Sequence, residues 1–146
     1  MFTKGFIVIV LTALLALPAH ADLSLDRVAV GGWSKHVPSS DTVTNETHNI
    51  LAFEVDSYVA GYFKNSYGRD TYFINKVWRE PATENVSFVW SIGVSHGYTV
   101  CFGPDDNSSK SICPSGWIGI EYNKYRVVPT IKWAPGAFIF SPEIKF

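Results

Sequence analysis

Two short clusters hold the side chains best suited to moving a proton or holding an anion. The first, Gly31-Gly32-Trp33-Ser34-Lys35-His36, closes one alternating stretch and enters a polar loop over 37–47. The second, Gly61-Tyr62-Phe63-Lys64-Asn65-Ser66-Tyr67-Gly68-Arg69, ends another such stretch and turns into the next. Histidine serves as a general base near neutral pH, and serine supplies a hydroxyl or an oxyanion donor. Arginine, here Arg69, binds a phosphate through a planar, permanently charged fork. The same residue types have a plainer use. Asn, Ser and Gly build turns, and a lone histidine is commonly a satisfied polar residue. Chemistry therefore requires a fold that brings His36 and Ser66 to one place.

The elements that must do this are strands. Val86, Phe88, Trp90, Ile92 and Val94 share one face, opposite Ser87, Ser91, Gly93 and Ser95, with Val89 the exception. Tyr125, Val127, Pro129, Ile131 and Trp133 oppose Arg126, Val128, Thr130 and Lys132. Phe138, Phe140, Pro142, Ile144 and Phe146 oppose Ala137, Ile139, Ser141, Glu143 and Lys145. A period of two marks half-buried strands. Weaker runs over 27–35, 48–56, 57–66, 69–79 and 115–124 bring the total to eight. Eight strands of about ten residues use roughly 80 positions, leaving short connections and no room for a helix or second domain. The uncharged stretch 85–104 is not a membrane helix, because its apolar residues alternate with serine, glycine and His96.

Eight strands can make a soluble barrel or sandwich with an apolar interior, or a transmembrane barrel that is apolar outside. Three features favour the membrane. One face of the best strands is aromatic or branched while the other is small or charged. Aromatics sit near strand ends, at Trp33, Tyr58, Trp78, Trp117, Tyr125 and Trp133, as interfacial girdles require. Phe146 ends the apolar face of the last strand and resembles the terminal aromatic of bacterial outer-membrane barrels. The expected fold is all-β: an eight-stranded antiparallel up-and-down transmembrane β-barrel over 22–146. Such a barrel holds only side chains or one small ligand or chain. With both termini on the periplasmic side, its first and third strands both run outward and deliver the two clusters to one outer rim.

The chain has 146 residues, 47% of them apolar, 15% aromatic and 17% charged, which suits one folded domain. A formal charge of −1 gives no support to a nucleic-acid partner. Lys4, the uncharged run over 5–17 and Ala19-His20-Ala21 have the layout of a cleaved signal peptide over 1–21, with an uncleaved anchor as the alternative. Export to an oxidising compartment pairs Cys101 with Cys113 across a polar loop, a staple worth roughly 3 kcal/mol by chain entropy. Neither cysteine has a CxxC or histidine neighbour, so no metal and no cofactor is expected. Sequons at Asn45, Asn85 and Asn107 matter only in a glycosylating host.

The order of motifs resembles the lipid A palmitoyltransferase (PagP) family of outer-membrane enzymes. That family has a Trp-His near the end of its first strand, then a polar loop with Asn-Glu. A Phe-Lys-Asp-Ser and a Pro-Gly turn follow, before a last strand ending in Phe. This chain reads Trp33-Ser34-Lys35-His36, Asn45-Glu46, Phe63-Lys64-Asn65-Ser66, Pro135-Gly136 and Phe146. The resemblance implies a barrel whose apolar well holds a phospholipid acyl chain, and transfer of that chain to a lipid A hydroxyl. It also implies a catalytic set of His36, Asn65 and Ser66. His36 would take the proton of the acceptor hydroxyl, and Ser66 would orient the site or donate to the oxyanion. Arg69, Trp33 and Lys64 complete the expected site as substrate-binding residues. The chain departs from the family in three ways: Ser34 and Lys35 separate Trp33 from His36, Asn65 replaces an acidic residue, and only 22–26 precede the first strand.

The remaining expectations follow from alternation. His48 and Glu54 share the inward side of the second strand with Ile50 and Ala52. Lys132, Glu143 and Lys145 also point inward, as an interior ion pair. Pro129, Pro135 and Pro142 each delete a ladder donor, at an edge or a bend; the resemblance implies instead a weakened seam that admits lipid sideways. The expected function is a monomeric outer-membrane acyltransferase of a Gram-negative cell, with phospholipid and lipopolysaccharide as partners. The alternatives are a non-catalytic barrel that binds lipid, adheres or shields a receptor, and a soluble exported lipid carrier.

Overall fold

The structure, a computed structural model, describes residues 24–37, 43–101 and 110–146. The expected signal peptide and the Asn107 sequon lie outside the described residues. Nine strands follow one another: β1 (Leu25–Val30), β2 (Trp33–His36), β3 (Leu51–Val55), β4 (Tyr58–Lys64), β5 (Asp70–Pro81), β6 (Val86–Tyr98), β7 (Ser111–Tyr122), β8 (Val127–Ala134) and β9 (Ala137–Lys145). Every pairing is antiparallel, and β1 and β2 both pair with β9, which closes the sheet into a barrel. Nine strands occupy eight positions because β1 and β2 are two halves of the first one, broken at Gly31-Gly32. Among the described residues there is no helix.

Tight turns set the up-and-down order. Asp56 and Ser57 both take positive φ, 49° and 65°, the requirement of a two-residue hairpin that matches strand twist. Pro135-Gly136 joins β8 to β9, with Gly136 at φ 84°. Proline presets the first turn position and glycine accepts the left-handed second one. The connections after β2, β4, β6 and β8 share one end, the distal rim. Both described ends of the chain, the β3–β4 hairpin and the connections at 82–85 and 123–126 share the other, the terminal rim.

The barrel is inside out relative to a water-soluble protein. Thr71, Asn75, Ser91, Glu121, Thr130 and Ser141 are buried in its lumen. Ile74, Phe88, Ile92, Ile118 and Ile131 are more than half exposed or close to it. The alternation expected for the last three strong runs holds along β6, β8 and β9. Aromatics gather on the outer face near both rims. Trp33 stacks on Phe140 at 5.7 Å near the distal rim, and Trp78 stacks on Trp90 at 4.1 Å toward the terminal one. Trp117 is not part of either girdle. It lies mid-strand on the inward side of β7, in step with Cys113, Ser115 and Glu121, and its ring receives Lys132 Nζ at 4.5 Å.

The terminal half of the lumen is filled. Val77, Val89 and Val128 are buried there beside a charged network. Arg27 Nη1 donates to Glu121 Oε2 at 2.8 Å, Arg79 Nε donates to the same oxygen at 3.1 Å, and Arg79 Nη2 donates to Glu54 Oε2 at 2.8 Å. Lys132 Nζ completes it on Glu143 Oε1 at 2.6 Å. Three cations balance three carboxylates, so each buried charge keeps a hydrogen-bonded partner, the condition under which burial is tolerated. Lys145 stands at the rim instead and donates to Asn123 O at 3.1 Å.

Candidate active site

The break at Gly31-Gly32 decides which way the first cluster faces. Arg27 and Ala29 are buried, so strict alternation would turn Trp33 and Lys35 inward and His36 outward. The register on β9 instead steps from Ala29↔Glu143 to Trp33↔Phe140, four residues against three. That single extra residue is a β-bulge, and it reverses the parity of everything beyond it. Ser34 becomes buried and His36 half-buried on the lumen side, while Trp33 and Lys35 face out. Gly31 and Gly32 take φ 70° and 140°, and a Cβ on Gly32 would stand 2.6 Å from Ile50 Cδ1. Glycine is therefore the residue this corner accepts.

At the distal rim the two clusters meet. Ser66 Oγ lies 2.8 Å from His36 Nε2. Ser66 is held by the connection that follows β2. The backbone N–H groups of Thr44 and Asn45 donate to its carbonyl at 2.9 and 3.0 Å, and Asn45 Nδ2 donates to Asn65 O at 3.1 Å. Lys35, outside, reaches exposed Glu46 at 3.3 Å, so the apolar belt ends below His36. Burial holds the His36 imidazolium pKa below its usual 6.5, and His48 and Lys35 push the same way against Glu46. His36 is accordingly a neutral base at neutral pH. Its Nδ1 is buried and has no partner among the described residues.

Asn65 does not orient that imidazole. Its Oδ1 accepts from the backbone N–H groups of Tyr67 and Arg69, both at 3.0 Å, and its Nδ2 donates to Gly97 O at 3.4 Å. A carboxylate could make the first two bonds equally well, since both are acceptances. Asn65 is thus the buried peg of the turn that presents Ser66. Trp33 and Lys64 point away from the lumen; Lys64 Nζ pairs with Asp70 Oδ1 at 2.9 Å on the outer side. Arg69 is half-buried at the same turn.

A second histidine and serine meet deeper inside. His48 Nδ1 lies 2.6 Å from Lys64 O, and His48 Nε2 lies 2.6 Å from Ser34 Oγ. His48 was legible as an interior polar residue from alternation, but its serine was not, because the bulge hides the facing of Ser34. Both pairs border one cavity of about 460 Å³, within the range of roughly 300–1,000 Å³ usual for small-molecule sites. Its walls include Ile50, Ala52, Phe63, Phe73 and Ile139, and its floor is the charged network at Arg27, Glu54 and Glu143. Tyr67 and Tyr98, edge to face at 6.3 Å, border its mouth with the Cys101–Cys113 disulfide. Neither tyrosine carried a sequence signal beyond being aromatic beside a turn.

The cavity also reaches a gap in the wall. The β7–β8 ladder runs only from Ile118↔Trp133 to Glu121↔Thr130, so residues 111–117 of β7 extend beyond the ladder. Pro114, within this stretch, and Pro135, just past the end of β8, both line the cavity. Pro129 and Pro142 face each other across β8 and β9 instead. No protein-family model and no curated protein matches the chain.

Proposed function

We propose that this protein spans the outer membrane of a Gram-negative cell and moves an acyl chain from a phospholipid to a hydroxyl of lipid A. The observation that carries this reading is the 2.8 Å contact of His36 Nε2 with Ser66 Oγ at the mouth of an apolar cavity. An exterior of isoleucine, valine and aromatic side chains over a polar lumen suits hydrocarbon outside and water or ligand inside. The acyl chain occupies the cavity, entering from the lipid side at the β7–β8 gap. The acceptor arrives from the distal rim. His36, neutral at working pH, takes the acceptor's proton as its oxygen attacks the ester carbonyl, and Ser66 donates to the oxygen that gains charge.

The test is mass spectrometry of lipid A from cells with and without the protein. An added acyl chain is expected, and it is lost in His36→Ala while the heat-modifiable gel mobility of a folded barrel persists. Unchanged lipid A beside a correctly inserted barrel refutes the transferase. One observation favours a second reading, a non-catalytic lipid-binding or shielding barrel: among the described residues His36 Nδ1 has no carboxylate or carbonyl to hold it. Under that reading lipid A stays unmodified, and His36→Ala has no consequence.

A further inference from the structure

We infer that Ser34 is a nucleophile activated by His48, so that transfer passes through an acyl-Ser34 intermediate; this rests on the acyl-transfer reading above. Lys64 O is a carbonyl and can only accept, so the proton of neutral His48 sits on Nδ1 and is bound there at 2.6 Å. Nε2 then carries a lone pair, and the 2.6 Å contact makes Ser34 Oγ–H the donor to it. A nucleophile bonded to a base, with that base oriented by a third group, is the arrangement that activates serine hydroxyls. Among the described residues the His36 pair lacks the third member, because its Nδ1 has no partner there. Ser34 and His48 are both buried, and both line the cavity.

The two pairs stand in series. Ser34 and His36 share the inward face two residues apart, roughly 7 Å along the strand, with His36 nearer the rim. In the first step Ser34 Oγ forms a bond to the ester carbonyl carbon, and its proton passes to His48 Nε2. The ester C–O bond breaks, and the leaving alkoxide takes that proton and departs as a lysophospholipid. In the second step the acceptor hydroxyl attacks acyl-Ser34, its proton goes to His36, the bond between the acyl carbon and Ser34 Oγ breaks, and that same proton passes from His36 to Ser34 Oγ, which leaves both histidines as they began. No other co-reactant is needed. The deeper pair thus handles the donor ester and the rim pair the acceptor.

The probe is a long-chain alkyl fluorophosphonate, incubated with the full protein folded in detergent. Ser34 Oγ bonds to phosphorus as fluoride leaves. Intact mass and peptide mapping of the wild type should place one adduct on Ser34. Ser34→Ala should lose it, His48→Asn should form it at least 10²-fold more slowly, and Ser66→Ala should keep it. An adduct on Ser66, or none on the folded wild type, overturns the inference, and mapping the wild type requires no variant to fold. Ser34→Ala that still modifies lipid A at the wild-type rate also overturns it and leaves the transferase intact. A labelled Ser34 beside unmodified lipid A supports the nucleophile and defeats the transferase instead.

Discussion

Ser66 Oγ and His36 Nε2 lie 2.8 Å apart although no ladder joins their strands. The connection over 43–50 passes between them, and its backbone ties the carbonyl of Ser66. The contact is therefore built by a strap across the rim. It depends on the strand break that faces His36 inward and on the turn that raises Ser66.

The pH profile should follow His36. A base works in its neutral form, and burial lowers its pKa from 6.5. Transfer to lipid A should rise with pH through a midpoint below 6.5 and stay level across the neutral range. A midpoint above 6.5, measured with lipid substrate in detergent, would assign the base to another group. In His36→Asn the limb should vanish and the rate fall by about 10²–10⁴.

Asn65 should behave as a positioning residue. In Asn65→Ala two backbone N–H groups lose their buried acceptor, at about 1–3 kcal/mol for each group left unsatisfied. Ser66 then shifts, and the rate drops with little change in substrate KM. Asn65→Asp keeps both acceptances and should retain the activity. Activity equal in the alanine and aspartate variants would show that the turn tolerates any residue.

Deleting Gly31 removes the extra residue of the bulge. Three residues then step against three on β9, so Trp33 stays opposite Phe140 and Ser34 and His36 still face the lumen. Activity should survive, and a cysteine introduced at Lys35 should remain open to a membrane-impermeant reagent; loss of that labelling would show that Gly31 is not the surplus residue. Gly31→Ala keeps the bulge and the facing, and costs about 1–2 kcal/mol for a non-glycine at φ 70°.

Glu121, 1% exposed, holds two arginines at once. Glu121→Ala leaves the lumen with an excess positive charge, and the cost expected for one member of a buried ionic network is about 3–5 kcal/mol. Urea unfolding of the barrel in detergent, followed by gel mobility, reads this directly. A shift under 1 kcal/mol would mean that water reaches the network.

Much of the fold was legible because period two is a strong signal when one side faces apolar surroundings. The runs that became β6, β8 and β9 were unmistakable, and the inward facing of His48, Glu54, Lys132 and Glu143 followed from parity alone. Parity was also where the reading stopped. Gly31-Gly32 looks like any flexible pair in a sequence, and whether it inserts one residue or none depends on the register of a strand more than a hundred positions away. The meeting of His36 with Ser66 followed from topology, but the partner of His48 could not. Asn65 was legible both as a turn former and as a site residue, and its three hydrogen bonds assign it to the turn. The two residues between Trp33 and His36 are an even insertion, so the pair still faces opposite sides, as adjacent residues would. The histidine is merely carried higher along the strand.

The floor of Arg27, Arg79, Lys132, Glu54, Glu121 and Glu143 has a consequence for the cell. An ion moving along the axis would meet a locked set of opposite charges packed against Val77, Val89 and Val128. On the membrane-spanning reading proposed above, the molecule should be electrically silent: reconstituted across a planar bilayer it is expected to pass no current, and a cell could carry many copies without leaking its gradients.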